Sequence, residues 1–579
     1  MKKGLTILFF ILLGMASMEF RNHSSTATFP HASVGMGQIK VMHGDTITRS
    51  TKSYLITHDA DKDTAFLKEK CRQAGLDLGL CVLANRIPID SKLVTPKPSK
   101  HLLRQGILRL QLPINEIQDE FAVYHSELFD IPSSINVLQI DDELITYRTM
   151  ETTGNIHLLY NCRRGAFGTK KTAHAKNTPV YKLWDTPERT LLPDLELQDQ
   201  MAQAEAKRLS KTNFDVLIFN DLKSYTYNGK GDTAIGHFLD TMHKYNPDKL
   251  LQADLLTPSS RYYLSRINEN QLWNESMRTK IVETLSEKHT FFNESQMPWM
   301  IGNFQILLAD KNRKATSLEE LEWFLSKAAA FDAGFGLLFN AETMRKHGLT
   351  EQFLNTINTW ETLRLADAFS KELKEQFKDP YGNWHLMQKN DSTYLVYERQ
   401  ISRGYTATPT IYRCDPKSLK TDSIPLSEKA VKPKKYKDNT FDSWGHFNGA
   451  WNWRSPYNSP LFLMIAVEGK GCVSNITIIT EWGDFTITGT VKAGQYLIFD
   501  PTYDHNAIIT DHNFNTIERV NGNMPRRLME GDNLISFSCS FVGEKDKIPE
   551  VTVRYIVMDE NHPETIVLDS TSVTAYHVQ

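Results

Sequence analysis

The sequence predicts an α/β part followed by an all-β part: a (β/α)8-type (TIM) barrel carrying a β-insertion, then a C-terminal β-sandwich or jelly roll. Three observations carry this. Short apolar runs alternate with amphipathic stretches between residues 51 and 378, the pattern of a parallel sheet covered by helices. Residues 105–183 break that alternation with short strands and glycine turns. After Asp379-Pro-Tyr-Gly382 the helical period disappears, and strand-like runs recur with turn residues between them.

In chain order, residues 1–16 read as a signal peptide. Lys2 and Lys3 precede a mostly apolar run over 5–13, and Gly14 and Ala16 supply small residues at the cut. The run is too short for a spanning helix, and no later stretch is apolar for long enough to cross a bilayer. The first cysteine, Cys71, lies far from the cut, which argues against a lipid anchor there. The expectation is a periplasmic or secreted protein, with residues 17–50 as an N-terminal extension.

The barrel part, 51–378, opens with a strand at 54–57, a helix over 64–74 ended by Gly75, and a strand at 77–84. Helices over 195–211, 233–245, 275–288 and 318–331 then precede strands at 215–220, 250–254, 297–308 and 334–340. A long helix over 351–377 closes the series. About six strands are visible where such a barrel has eight. The β-sandwich part, 379–579, includes strands near 461–467, 472–480, 484–491 and 551–558, with a Lys- and Pro-rich stretch at 427–439 expected to split it.

Composition excludes several functions. A net charge of -3, with basic and acidic residues interspersed, gives no hold for nucleic acid. The basic run 432–437, interrupted by Pro433, reads as a linker. Six cysteines are too few and scattered for a disulfide scaffold, and no pair has zinc-ligand spacing. No phosphate loop, dinucleotide fingerprint, nucleophile elbow or His-Glu-x-x-His helix occurs. His237 and His243 lie six apart and do not share a helix face. The expectation is therefore no metal and no cofactor; oligomeric state is not legible.

Reactive groups of an α/β barrel gather where the strands end. Asp221 and Asp254 follow apolar strands and are the first candidates for acid and base or nucleophile, with Glu294 and Glu342 in reserve. Lys223, Tyr225, Arg261, Tyr262, Arg266, Asn268, Trp273 and Trp299 are the candidate substrate-binding side chains. Paired carboxylates beside aromatic rings suit glycosidic bond cleavage of a poly- or oligosaccharide, one acid protonating the leaving oxygen while the other acts as base or nucleophile. Acids at strand ends also cap the helix that follows, and Trp273 and Trp299 fit core packing as well as a sugar platform.

Several segments resemble secreted bacterial barrel enzymes of polysaccharide degradation: 78–98 with Leu93-Val-Thr-Pro-Lys-Pro98, Phe219-Asn-Asp-Leu-Lys223, Ser265-Arg-Ile-Asn268 with Trp273, Met297-Pro-Trp-Met-Ile-Gly302, and Ala328-Ala-Ala-Phe-Asp-Ala-Gly-Phe335. The resemblance spans roughly 59–368 and implies a glycoside-hydrolase-like barrel with a C-terminal β-domain. It also implies an Asp after the strand ending at Phe219 and a Glu three positions further on. Here Asn220 and Lys223 stand instead, with Asp221 one position away. The run Cys162-Arg-Arg-Gly-Ala-Phe-Gly-Thr169 through His174 to Val180 resembles a β-module motif of secreted and phage-borne carbohydrate-binding proteins. Its other reading is two glycine turns in a hairpin.

Two alternatives follow from the same residues. A lyase acting on uronate-containing glycans needs a base and a cation, for which Lys223, Tyr225, Tyr262, Arg261 and Arg266 are suitable types. A glycan-binding protein that has lost catalysis is the other. In the sandwich, Trp444, Trp451 and Trp453 form either a core or a binding face.

Overall fold

The computed structural model describes residues 32–568 except 37, 44–45, 52–53, 58–63, 74–75, 84, 132, 269–271, 274–277, 340, 415–420, 426–443, 457, 460, 482, 501–506, 521–527, 544–546 and 560–561. The expected signal peptide, the extension up to residue 31, Gly75 and the stretch 427–439 lie outside the described residues. The chain divides into a first unit, 20–270 with 295–302, and a second, 271–294 with 303–579 and 1–19.

In the first unit, strands β1 (Ala32–Met36), β2 (Tyr54–Thr57), β3 (Asp77–Leu83), β4 (Val216–Asn220), β5 (Leu250–Ala253) and β6 (Leu264–Ile267) lie in the spatial order β6-β5-β4-β3-β2-β1. Strands β2 to β6 are parallel, and β1 runs antiparallel to β2. Beyond β6, Ile267 forms a parallel bridge with Trp299. Helices α1 (Thr64–Gln73), α2 (Leu195–Leu209) and α3 (Asp232–Tyr245) connect or precede these strands.

The helices form where the apolar spacing allows one buried stripe. In α2 the Asp194 carboxylate accepts the Leu197 N–H at 3.0 Å, and Leu197, Ala202, Ala206 and Leu209 are buried. In α3 the buried set is Ala234, Ile235, Phe238, Leu239 and Met242. The Phe238 ring meets Phe219 of β4 edge to face at 4.9 Å. The other face of the sheet carries a row in register across four strands: Cys81, Ile218, Gln252 and Arg266. Gln252 and Arg266 are both fully buried there. A parallel sheet is covered on both faces, and here one covered face holds polar groups.

Two strands correct the sequence reading. Arg266 belongs to β6, not to a loop, and β1 lies inside the expected extension. Periodicity misses β6 because it is four residues long with Ser265 and Arg266 at its centre.

Residues 104–183 form a module of two small antiparallel sheets around their own core of Leu108, Leu110, Val123, Leu138, Ile140, Ile145, Leu159 and Val180. The entering strand Arg104–Arg109 pairs antiparallel with the leaving strand Pro179–Leu183. At its centre Glu143 is fully buried. Its carboxylate accepts two bonds from Arg164, each 2.8 Å, one from the Gly165 N–H at 2.8 Å and one from the Thr172 N–H at 3.1 Å. His174 lies 3.0 Å from Glu143 and, through its other nitrogen, 3.0 Å from Asp141. The motif at 162–180 thus serves this network. Gly165 sits at φ 60°, where a Cβ would stand 2.7 Å from the Thr169 carbonyl oxygen.

In the second unit β7 (Leu272–Trp273) pairs in parallel with β8 (Met300–Gln305), and β9 (Gly334–Phe339) lies beyond β8. Its helices are α4 (Arg278–Ser295), α5 (Leu318–Ala330), α6 (Ala341–Lys346), α7 (Thr350–Leu365) and α8 (Lys371–Phe377). The single helix expected over 351–377 is two: Asp367 adopts φ 50°, and the Ser370 hydroxyl restarts the chain by accepting the Leu373 N–H at 3.1 Å. In α5, Glu322 is fully buried and accepts from Arg399 and the Leu386 N–H, with His385 at 3.0 Å.

The C-terminal part is one sandwich rather than two pieces. Strand Thr408–Cys414, before the Lys- and Pro-rich stretch, pairs with Trp444–Ser455 after it, and Thr393–Ile401 pairs with Pro549–Met558. Both sheets contribute to one core that includes Phe447, Leu463, Ile465, Val473, Leu497, Phe537 and Val553. In Gly531–Val542 the alternation is plain: Ile535, Phe537, Cys539 and Phe541 are buried, while Ser536, Ser538 and Ser540 are not.

Burial raises the Glu143 carboxyl, but His174, Arg164 and the two N–H donors outweigh it and bring it down to about 2. A folded-state value below the unfolded one stabilises above pH ~4.5, and that contribution, on the order of 3 kcal/mol, fades as pH falls toward 2. Glu143→Gln should cost about 3–5 kcal/mol, because it leaves Arg164 buried without its anion. Urea unfolding of wild type and variant at neutral pH and near pH 3 checks both: the gap between them should narrow in acid.

Candidate functional site

The parallel strands of the first unit end in polar residues on one side. Asn85 and Arg86 follow β3, Asn220 ends β4 with Asp221 next, Asp254 follows β5 and Asn268 follows β6. Asp221 is the most constrained of them. Its backbone is left-handed, φ 64° and ψ 40°, a conformation unfavourable for a residue with a side chain though tolerated by Asp.

Asp254 holds that turn. Its carboxylate accepts the Asp221 N–H at 2.6 Å and the Leu222 N–H at 2.9 Å. Both donors belong to the start of the 3-10 turn Leu222–Asn228, and charge-assisted acceptance of this kind is the stronger class of hydrogen bond. The Asp221 carbonyl accepts the Ser224 N–H at 3.0 Å and its hydroxyl at 2.8 Å, closing the turn.

The Asp221 carboxylate forms an ion pair with Nη2 of Arg86. Glu188, in the loop leaving the β-module, lies 3.7 Å from Nη1 of the same guanidinium. The Arg86 side chain is 12% exposed, Asp221 28% and Glu188 46%, so the two acids reach solvent above a largely covered cation. Burial pushes the Asp221 carboxyl up, Arg86 draws it back in part, and Asp254 and Glu188 push it up again, leaving it above the usual range.

Around this cluster several buried polar atoms have no hydrogen-bond partner among the described residues: Nε and Nη1 of Arg86 and Oδ1 of Asn85, Asn220 and Asn268. Each comes from the end of a parallel strand or the residues just after it. Such atoms are rare in folded proteins and need a reason. The rings of Trp184 and Tyr227 stack at 4.8 Å with planes 8° apart, on the loops that also carry Glu188 and Asp221.

The sequence-predicted residues are spread differently. Lys223 is exposed on the Asp221 turn. Tyr225 is buried in the core, its ring 4.4 Å from Phe238. Arg266 and Asn268 are buried and both donate to the side-chain amide oxygen Oε1 of Gln252, at 3.5 and 3.0 Å. Arg261 is exposed and donates to the Ser295 carbonyl. Tyr262 is 71% exposed in an open cleft with His237, Asp240 and Tyr263. Trp299 is buried.

Three of the expected residues belong to the second unit. Trp273 is buried, so it offers no open platform. Glu294 is exposed on α4 instead of ending a strand. Glu342 is exposed on α6 and bonds Lys346 one turn on at 2.6 Å, the pairing of a solvated helix face. In the sandwich, Trp451 stacks on Tyr405 and Trp453 on Tyr555, both packed against the core. The Trp444 side chain lies outside the described residues. Arg86, Glu188, Trp184 and Tyr227 are what sequence reasoning missed.

Among the described residues no group of three or more His, Cys, Asp or Glu could hold a metal ion, and no helix is long and apolar enough to cross a membrane.

No protein-family model and no curated protein matches the chain. Among solved structures it is similar to a GH27 β-L-arabinopyranosidase from Geobacillus stearothermophilus, at 8% identity over 83% of this chain and 78% of that one, with a TM-score of 0.27. A putative α-N-acetylgalactosaminidase from Bacillus halodurans gives 8% identity, 83% and 78% coverage and a TM-score of 0.25. A debranching enzyme from Nostoc punctiforme gives 11%, 61% and 73%, with a TM-score of 0.27.

Asp254→Ala should destabilise the first unit by about 2–4 kcal/mol, since two backbone donors lose their acceptor together. Asp254→Asn, which keeps an acceptor oxygen, should cost less than half as much. Denaturant midpoints of the two variants test this; equal losses would show that the carboxylate does not hold the turn.

Proposed function

We propose that the chain is a carbohydrate-active enzyme, a glycoside hydrolase acting on a poly- or oligosaccharide, with Asp221 as its proton donor. The observation that carries this reading is the Asp221 carboxyl itself: at a parallel strand end, half-buried, raised above the usual range, and held between Arg86 and the Asp254-clamped turn. A general acid needs a proton at working pH and a fixed position relative to the leaving oxygen.

The second carboxylate of the pair is Glu188 rather than Asp254. Asp254 is engaged by two backbone donors and acts as a positioning residue, whereas Glu188 faces solvent on the far nitrogen of the same guanidinium. One guanidinium between them keeps the two carboxylates within about 10 Å, inside the span that two-carboxylate hydrolysis uses. The stacked Trp184 and Tyr227 supply an aromatic surface for a pyranose ring. The (β/α)8 reading belongs to the same proposal, supported by the parallel order of β2 to β6 and by the Ile267–Trp299 bridge beyond β6. So does export, which rests on residues 1–16. A lyase finds less support, because Tyr225 and Arg266 are buried away from Lys223.

In an assay of reducing-end release from a panel of neutral and acidic glycans, Asp221→Asn should lose about 10²–10⁴-fold in rate with its fold intact, and Glu188→Gln a comparable factor. As an acid that must be protonated, Asp221 sets the alkaline limb of the pH–rate profile. Arg86→Met removes the cation that draws the Asp221 carboxyl down, so that limb should move to higher pH. Release of unsaturated uronates, or no release from any glycan, would overturn the reading.

A further inference from the structure

We infer that the site takes an uncharged glycan and turns away chains bearing carboxylate or sulfate groups. This rests on the reading of Asp221 as the group that faces the sugar. The charge around Asp221 is unbalanced even with Asp221 protonated as the acid: Glu188 and Asp254 supply two carboxylates, and Arg86 is the one cation among the groups that shift the Asp221 carboxyl. Lys223, exposed on the same turn, is not one of those groups.

Accessibility sharpens the point. The side chains most open to an incoming ligand are the acceptors, Glu188 and Asp221, while the guanidinium that could meet an anion is 12% exposed and already carries both acids. Carboxylate oxygens take hydroxyl donors readily. A uronate or sulfate would instead meet like charge at contact distance in a half-buried site, where screening is weak. The guanidinium atoms that make no hydrogen bond, Nε and Nη1, are buried, and Nη1 already has Glu188 at 3.7 Å. Glu188 is thus a specificity-determining residue as well as the proposed second carboxylate.

The test measures binding, separately from turnover, by isothermal titration of the full chain. The neutral probes are malto-, cello-, xylo- and mannohexaose; the acidic probes are hexagalacturonate, hexaguluronate and a chondroitin sulfate hexasaccharide. At least one neutral hexaose should bind ten-fold or more tightly than every acidic one. Glu188→Gln should shrink that gap at least three-fold, and raising salt in wild type should shrink it too. An acidic probe binding as tightly as the best neutral one, or a gap unmoved by Glu188→Gln, overturns the inference while leaving hydrolysis by Asp221 standing. Tight neutral binding without reducing-end release overturns the hydrolase and leaves the inference standing. Binding of no probe overturns both.

Discussion

The arrangement at the strand ends depends on one carboxylate that does no chemistry in the proposed reaction. Asp254 accepts two successive N–H groups and so fixes the backbone of Asp221 in a left-handed turn. Without that acceptor, the turn would lose both its hydrogen bonds and the reason for its strain. With it, the Asp221 side chain leaves the sheet at a set angle, meets Arg86, and brings Glu188 into the same charge cluster. The raised carboxyl is therefore a product of burial first and of neighbouring charges second, at a position the backbone turn sets.

A second constraint lies beneath it. Sheets of parallel strands are covered on both faces, and the covered interior usually reads as continuous apolar residues. Here the row through Cys81, Ile218, Gln252 and Arg266 is half polar, and the strands that carry it run into Asn85, Asn220 and Asn268, whose Oδ1 atoms make no hydrogen bond among the described residues. Each such group costs free energy. The stability lost at this end of the sheet is offset by the helix-covered face, where Phe219, Phe238 and the α3 stripe pack without polar interruption.

The sequence made most of the fold legible where one period dominates. The six strands it named in the α/β part, and the alternating strands of the sandwich, are long or regular enough for side-chain spacing to set them. Strand β6 escaped because its central residues, Ser265 and Arg266, are polar yet buried, and β1 because a short antiparallel strand before the repeat has no helix to announce it. The helix over 351–377 looked continuous because Asp367 is an ordinary helix-surface residue until its backbone turns over. At the site, Asp221 and Asp254 were legible from their place after apolar strands, but their division of labour was not. Arg86 and Glu188 were invisible for a different reason: nothing in a loop sequence says that the exit of a distant insertion returns to the end of β3.

That insertion enters on Arg104–Arg109 and leaves on Pro179–Leu183, and those two strands are hydrogen-bonded neighbours. A segment whose ends already touch costs its host little closure entropy, whatever its length, and one with its own core and a saturated Glu143–Arg164–His174 centre does not need the host to fold around it. In evolutionary terms it is a cassette: it can be gained, exchanged or lost by recombination at two adjacent points. Because Trp184 and Glu188 lie just past its exit, each exchange would also redraw one wall of the candidate site, so that specificity could change while Asp221, Asp254 and the parallel sheet stay as they are.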